Sequence, residues 1–147
     1  MLVGSFSRSV DEKLRVAIPK GLREAMGCQQ GGLLYVAPGF DRSLAIYTEE
    51  SFALLGERLA RLSPTRHQVR EFTRLFYAPA QQVKLDRQGR IRIPPELAEL
   101  AGLAAEAKLL GVRDHLELWA VDRWEAYKAE KQPHYDEIAE AAFDDPH

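Results

Sequence analysis

The chain has 147 residues, 46% of them apolar and 29% charged, with a formal net charge of −2 and a single cysteine. At roughly 100–200 residues per domain this is one domain or two small ones. No stretch approaches the ~18 consecutive apolar residues of a membrane span, Met1–Arg8 lacks the regions of a signal peptide, and Cys28 has no second cysteine for a disulfide or thiolate cluster. No membrane partner is therefore expected, and a balance of −2 also argues against nucleic acid, whose binders usually carry a basic footprint.

In chain order, Val16 and Ile18 alternate with Ala17 as in a half-buried strand. Pro19 stops that strand because it cannot donate to a ladder, and it suits the first turn of a helix. Leu22, Ala25 and Met26 follow at helical spacing, and Gly27 stands where a C-cap favours positive φ. Leu33–Val36 and Leu44–Tyr47, separated by the turn residues Pro38-Gly39-Phe40-Asp41, predict a hairpin. Thr48 is placed to cap a helix with Glu49 and Glu50 in its first turn and Phe52, Leu55, Leu59 and Leu62 on one face. Ser63-Pro64 predicts a helix restart, serine as cap, with Val69, Phe72, Leu75 and Phe76 as its stripe. Both stripes read as core or helix–helix contact.

The pattern then recurs. Ile91 and Ile93 flank Arg92, Pro94 ends the strand, Leu97, Leu100 and Ala101 are helically spaced, and Gly102 follows. Lys108–Val112 and Leu116–Trp119 predict a second hairpin about Arg113-Asp114. Asp122 is placed to cap a helix carrying Trp124 and Tyr127, and Pro133 breaks it. Residues 134–147 are acidic, and Tyr135, Ile138, Ala139, Ala142 and Phe143 suffice for a turn or two, so this end reads as a frayed tail.

Shifted by 75 positions, Asp11–Gly27 lies over Asp86–Gly102 with seven of seventeen residues identical: Asp, Arg, Ile, Pro, Leu, Glu and Gly. Further on, at an offset of 72, Ser43–Tyr47 lies over His115–Trp119 and Phe52 over Trp124. Such a duplication predicts an α+β fold in which two half-domains, each too small to bury a good core alone, complete one another about a pseudo-twofold axis. The expected units are residues 5–50, a linking helical pair 51–77, a second copy 78–122, and a C-terminal helix and acidic tail 123–147.

Enzyme signatures are absent. There is no Gly-rich phosphate loop, and His67, His115, His134 and His147 lack ligand spacing, so no metal, cofactor, catalytic residue or small-molecule substrate is expected. The repeated Asp-x-x-x-Arg, Asp11 to Arg15 and Asp86 to Arg90, lies in the turn between two strands in both copies. Its Asp can accept backbone N–H groups of the turn. Its Arg can either fix that turn as an ion pair or present a five-donor fork to phosphate or a guanine edge. Local charge bears on this choice. Residues 1–119 hold 17 basic and 14 acidic side chains, and residues 120–147 hold 3 and 8. Arg8, Lys13, Arg15, Lys20 and Arg23 surround the first motif, and Lys84, Arg87, Arg90 and Arg92 the second. Arg58, Arg61, Arg66, Arg70 and Arg74 make a third basic run.

With these residues the sequence resembles the MraZ family, bacterial regulators of the division and cell-wall gene cluster. The similar elements are the Met-x-x-Gly start, Asp11 to Arg15, Arg15–Pro19, Asp86–Pro94, Leu116–Trp119, the helical pair and the Trp124 helix. The half-domains resemble the SpoVT-AbrB-like swapped hairpins of transition regulators and antitoxins, which implies a pseudo-twofold, β-barrel-like core. The resemblance implies a cytoplasmic, nucleoid-associated repressor that binds double-stranded DNA at short promoter direct repeats as a homo-oligomeric ring. Arg15 and Arg90 inherit the motif's DNA-binding role, with Asp11, Asp86 and Gly89 as its turn residues; Arg8, Lys13, Arg23 and Arg87 join them on local charge. A scaffold or antitoxin-like module of the same fold is the alternative, weakened by the duplication. One departure stands out: where the family's first motif has glycine, this chain has Leu14. Leucine at a position requiring φ > 0 would be strained by about 1 kcal/mol. Otherwise the turn changes shape, or Leu14 protrudes toward a neighbouring subunit.

Overall fold

The computed structural model describes residues 1–144; Asp145, Pro146 and His147 lie outside the described residues. Each copy contributes a strand, an Asp-turn, a short strand, a short helix and a hairpin. These are β1 (Ser5–Ser9), β2 (Arg15–Ala17), α1 (Lys20–Met26), β3 (Leu33–Pro38) and β4 (Leu44–Thr48), and then β5 (Gln81–Lys84), β6 (Arg90–Arg92), α4 (Pro95–Ala101), β7 (Glu106–Val112) and β8 (His115–Ala120). Between the copies lie α2 (Glu49–Ala60) and α3 (His67–Tyr77), and after them α5 (Val121–Lys131) and α6 (Tyr135–Phe143).

The copies exchange strands. A six-stranded antiparallel sheet runs β1-β7-β8-β4-β3-β5, so the first strand of each copy pairs with the hairpin of the other, and β2 pairs with β6 as a separate ribbon. The strand order reads the same from either end once the copies are interchanged. At the centre, Ala45 faces Glu117 on β4–β8 and Val16 faces Ile91 on the ribbon, each residue opposite its own repeat counterpart. The pseudo-twofold axis therefore passes through both pairs. The strands form an open sheet closed on one side by the ribbon.

Alternation sorts the two faces. Leu34, Val36, Leu44, Ile46, Leu109, Leu116 and Leu118 point to one face, where they meet Val16 and Ile91 of the ribbon, Ile18 and Ile93 just beyond it, and Leu22 and Leu97 of α1 and α4. The opposite face is aromatic. Phe52 of α2 stacks on Tyr35 at 4.4 Å between centroids, Tyr47 meets Phe76 of α3 at 6.4 Å, and Trp119 meets Trp124 and Tyr127 of α5. The ribbon and the linking helices thus lie on opposite sides of the sheet.

Helix ends follow local chemistry, with three departures from the sequence reading. Thr48 caps α2 in a reciprocal capping box with Ser51, and Gly27 and Gly102 close α1 and α4 at φ 66° and 64°. Ser63 and Pro64, however, lie in the turn, where Ser63 bonds Thr65, and α3 starts only at His67. Ala120 takes the cap position of α5, so Asp122 sits in the first turn. Pro133 does end α5, but through a single 3-10 turn that leads into α6, an ordered helix where the composition suggested a frayed tail. Part of the apolar stripe on α3 also remains uncovered: Phe76 is buried, yet Leu75 is 73% exposed.

Candidate nucleic-acid interface

The two Asp-x-x-x-Arg turns have the same wiring. Asp11 Oδ1 accepts the backbone N–H groups of Lys13 (3.0 Å) and Arg15 (2.8 Å), and Oδ2 accepts Arg15 Nε (2.6 Å). Asp86 Oδ1 accepts those of Gln88 (2.8 Å) and Arg90 (2.9 Å), and Oδ2 accepts Arg90 Nε (2.9 Å). In each case the arginine backbone N–H is the main influence holding the carboxyl below its ordinary range, with the guanidinium adding to it. Each aspartate holds its own arginine through Nε, and the terminal amino groups of both arginines make no hydrogen bond among the described residues. One of them, Arg90 Nη1, comes within 3.9 Å of Asp11 Oδ2, tying the second motif to the first across the ribbon.

The copies also interlock through backbone bonds. The carbonyl of Leu14 accepts Ile93 N–H and the carbonyl of Gly89 accepts Ile18 N–H, both at 2.8 Å. Leu14 has φ 59° and Gly89 φ 73°, so the leucine adopts the glycine conformation and the turn keeps its shape. Its side chain is half-buried, packed against the core. Burial of an apolar side chain on this scale, about 1 kcal/mol, is enough to offset the strain.

Val16 and Ile91 face inward on the ribbon, so their neighbours face out. Arg15 stands opposite Arg92 and Ala17 opposite Arg90. Three arginines therefore share the outer surface of a two-stranded ribbon. Arg15 and Arg90 are about one-third and one-quarter exposed, and Arg92 is exposed. The sequence placed Arg92 in the basic cluster around the second motif but not among the candidate site residues; the signal available was its period of two with Arg90.

Lys13 and Arg87 are exposed in the two turns beside the ribbon. Arg23 reaches from α1 over the turn of the other copy. Its Nε donates to Ile18 O at 3.0 Å, and a Cβ added to buried Gly89 would lie 2.7 Å from its guanidinium carbon. Arg8 does not join this group: it remains half-buried on β1, beside β7, with Nε on its neighbour Ser7 O. Among the described residues no group of three or more His, Cys, Asp or Glu could hold a metal, and no helix is long and apolar enough to cross a membrane.

Residues 76–145 match the family model described as "MraZ protein, putative antitoxin-like". Similarity to curated proteins extends over almost all of the chain. The Transcriptional regulator MraZ of Lactobacillus delbrueckii subsp. bulgaricus is 38% identical over 140 residues, 95% of each chain. The chain belongs to the MraZ family. Two more members of that name are from Ligilactobacillus salivarius (36% identical, 98% of each chain) and Thermomicrobium roseum (41% identical, 86% of each). A solution structure from Pyrococcus horikoshii overlaps 80% of this chain and 88% of that one, at 14% identity and a TM-score of 0.36. In this MraZ-family chain the turn aspartates, the paired arginines and the ribbon thus form one unit built from both repeats.

Proposed function

We propose that this chain is a transcriptional regulator that represses by binding double-stranded DNA with the outer face of the β2–β6 ribbon. The observation that carries this reading is the outward row of Arg15, Arg90 and Arg92 on a two-stranded ribbon, a shape the ~12 Å major groove admits. The aspartates orient Arg15 and Arg90 through Nε, which preorganises the remaining donors and lowers the entropy lost on binding. Lys13, Arg23 and Arg87 flank the row as phosphate contacts that position the ribbon without reading sequence. Arg8 adds longer-range charge only. The duplicated units, residues 5–50 and 78–122, act together as one DNA-binding head.

Three arginines make a weak head, since the whole chain is net −2. Several chains joined in a ring would present successive heads to short direct repeats and gain avidity without new contacts. On the family resemblance, the repeats proposed as targets are those in the promoter of the division and cell-wall gene cluster, bound by a cytoplasmic protein at the nucleoid. The test is an electrophoretic shift on promoter repeats with Arg15→Ala, Arg90→Ala and Arg92→Ala. Arg92 has no bond to its turn, so its loss separates DNA contact from folding. Each replacement should weaken binding about tenfold or more and flatten the log–log salt slope by about 0.9 per lost phosphate contact. Undiminished binding by all three would move the interface off the ribbon.

A further inference from the structure

A cavity of about 320 Å³ lies on the face of the sheet opposite the ribbon, over the pseudo-twofold axis where Ala45 of β4 faces Glu117 of β8. Side chains of α2 and α3 wall it, and the turns of the two hairpins, at Gly39-Phe40 and Arg113-Asp114, form its rim. Space remains here because the copies differ in sequence at the axis. Ala45 and Tyr47 stand where the second copy has Glu117 and Trp119. Trp119 is buried under Trp124 and Tyr127, whereas Tyr47 is half-buried and has only the alanine methyl beside it on that face.

The apolar wall is aromatic. Phe40, Phe72 and Phe76 form a stacked ladder, with centroids 6.2 and 5.5 Å apart and interplanar angles of 9° and 19°. On the sheet, Tyr47 stacks on His115 at 5.4 Å. Phe40 is 75% exposed at the rim, an apolar ring with a face still to cover. Such faces suit a planar ring, which can stack on them or meet them edge-on.

Polar groups in the cavity are unevenly engaged. Both oxygens of each carboxylate have partners. Asp114 accepts His115 Nδ1 at 2.9 Å and pairs with an Arg113 amino group at 3.4 Å. Glu117 accepts His115 Nε2 at 3.5 Å and Trp119 Nε1 at 3.0 Å. Donors, by contrast, are left over. Arg58 lines the cavity and, among the described residues, has neither an ion pair nor a side-chain hydrogen bond; Tyr47 Oη has no hydrogen-bond partner either. No fully enclosed polar side-chain atom lacks a partner among the described residues, so that hydroxyl opens onto accessible space. Burial pushes the Tyr47 phenol up to about 12, which keeps it an O–H donor at neutral pH, and the Arg58 charge acts on the same phenol in the opposite sense. The two spare donors are therefore neighbours.

From this we infer that the cavity is a binding site for a small aromatic acid, its one or two fused rings against Phe40 and Phe72 and its carboxylate on Arg58 and Tyr47 Oη. Aromatic walls with a few convergent polar groups are the usual composition of a small-molecule site, and the volume is at the lower end of the usual range. At roughly 30 Å³ per water-sized group, about 320 Å³ holds about ten such groups, which limits the ligand to this size. The ligand is an effector and not a substrate, since the carboxylates and His115 are engaged with one another. It leaves the ribbon arginines free, on the other side of the sheet.

Isothermal titration calorimetry of the whole chain, without DNA, tests the site with three probes: 2-naphthoate, the neutral 2-naphthamide, and acetate as the acid without a ring. 2-Naphthoate should bind with a Kd of about 1 mM or tighter, as its number of atoms permits, and about tenfold tighter than either other probe. Arg58→Leu should abolish the preference for the acid and leave 2-naphthamide unchanged. Phe40→Ser should weaken both aromatic probes. Arg61→Leu, at an exposed arginine that does not line the cavity, should change nothing. Arg58 and Phe40 are both exposed, so neither replacement opens the core, and far-UV circular dichroism checks the fold. Absence of saturable 2-naphthoate binding up to about 10 mM, tenfold above that Kd, would overturn the site. Equal affinity for 2-naphthoate and 2-naphthamide would overturn the acid. Equal weakening by Arg58→Leu and Arg61→Leu would put the acid on the general charge of the helices and overturn the cavity as its place. Because no DNA is present, none of these results bears on the ribbon.

Discussion

Gly89→Ala tests whether the second Asp-turn is built as described. Gly89 is buried at φ 73°, a conformation that disfavours an L side chain by roughly 1–2 kcal/mol. The added methyl would also stand 2.7 Å from the Arg23 guanidinium carbon and 2.8 Å from its Nε. Arg23 is flexible enough to move, but moving breaks its 3.0 Å bond to Ile18 O, worth about 1 kcal/mol. Against these stands about 0.5 kcal/mol gained from the stiffer unfolded chain. The sum is a loss of about 2 kcal/mol, which for a chain of this length lowers Tm by roughly 4–8 °C. Thermal unfolding followed by circular dichroism at one fixed protein concentration measures it, because assembly makes Tm depend on concentration. In the Arg23→Ala background only the backbone penalty remains, so the same substitution there should cost about 1 kcal/mol less. A Gly89→Ala protein melting within 1 °C of the parent would refute the reasoning, as would an equal loss in both backgrounds.

Other outcomes follow from the same geometry. His115 lies between Asp114 (2.9 Å) and Glu117 (3.5 Å), whose hydrogen bonds, Glu117's foremost, raise its pKa against the opposing effect of burial. A raised pKa adds stability that is complete below the unfolded value of about 6.5 and is lost as pH rises through the folded value. The urea midpoint should therefore fall with rising pH above about 6.5, and His115→Gln should remove that slope. The two motif aspartates act with the opposite sign. Their folded pKa values are lowered, so their contribution is present above about 3.9 and disappears as pH falls through the folded values. Asp11→Asn and Asp86→Asn should each flatten the acid limb of the stability curve. Phe76→Ala empties the aromatic layer beneath α3, where Phe76 is 4% exposed and touches Tyr47, Phe52, Phe72 and Tyr77. It should cost about 3–5 kcal/mol by denaturant titration, while leaving the ribbon face chemically unchanged.

What the sequence could and could not disclose divides by range. The repeat, the Asp-turns, the proline stops and the glycine caps are each set by a few neighbouring residues, and all of them appear in the structure where the pattern places them. Strand exchange is another matter. Nothing in Ser5–Ser9 distinguishes β7 from the nearer β3 as its partner; the choice depends on the pseudo-twofold axis, which only the assembled pair of copies defines. The reach of Arg23 over Gly89 was hidden for the same reason, because it joins one copy's helix to the other's turn.

Leu14 shows the limit most sharply. The sequence marks the missing glycine but not its consequence, which turns on two long-range facts: a carbonyl held by Ile93 N–H and a side chain with core to cover. Local preference opposed the conformation, and contacts with the second copy outweighed it. Charge behaved alike. A net of −2 concealed not only a basic body and an acidic end but also their arrangement, with ribbon arginines on one side of the sheet and helix arginines on the other. The two groups lie on opposite faces of the sheet, and the acidic excess that offsets them in the sum lies on the C-terminal helices, so only the folded chain separates the three.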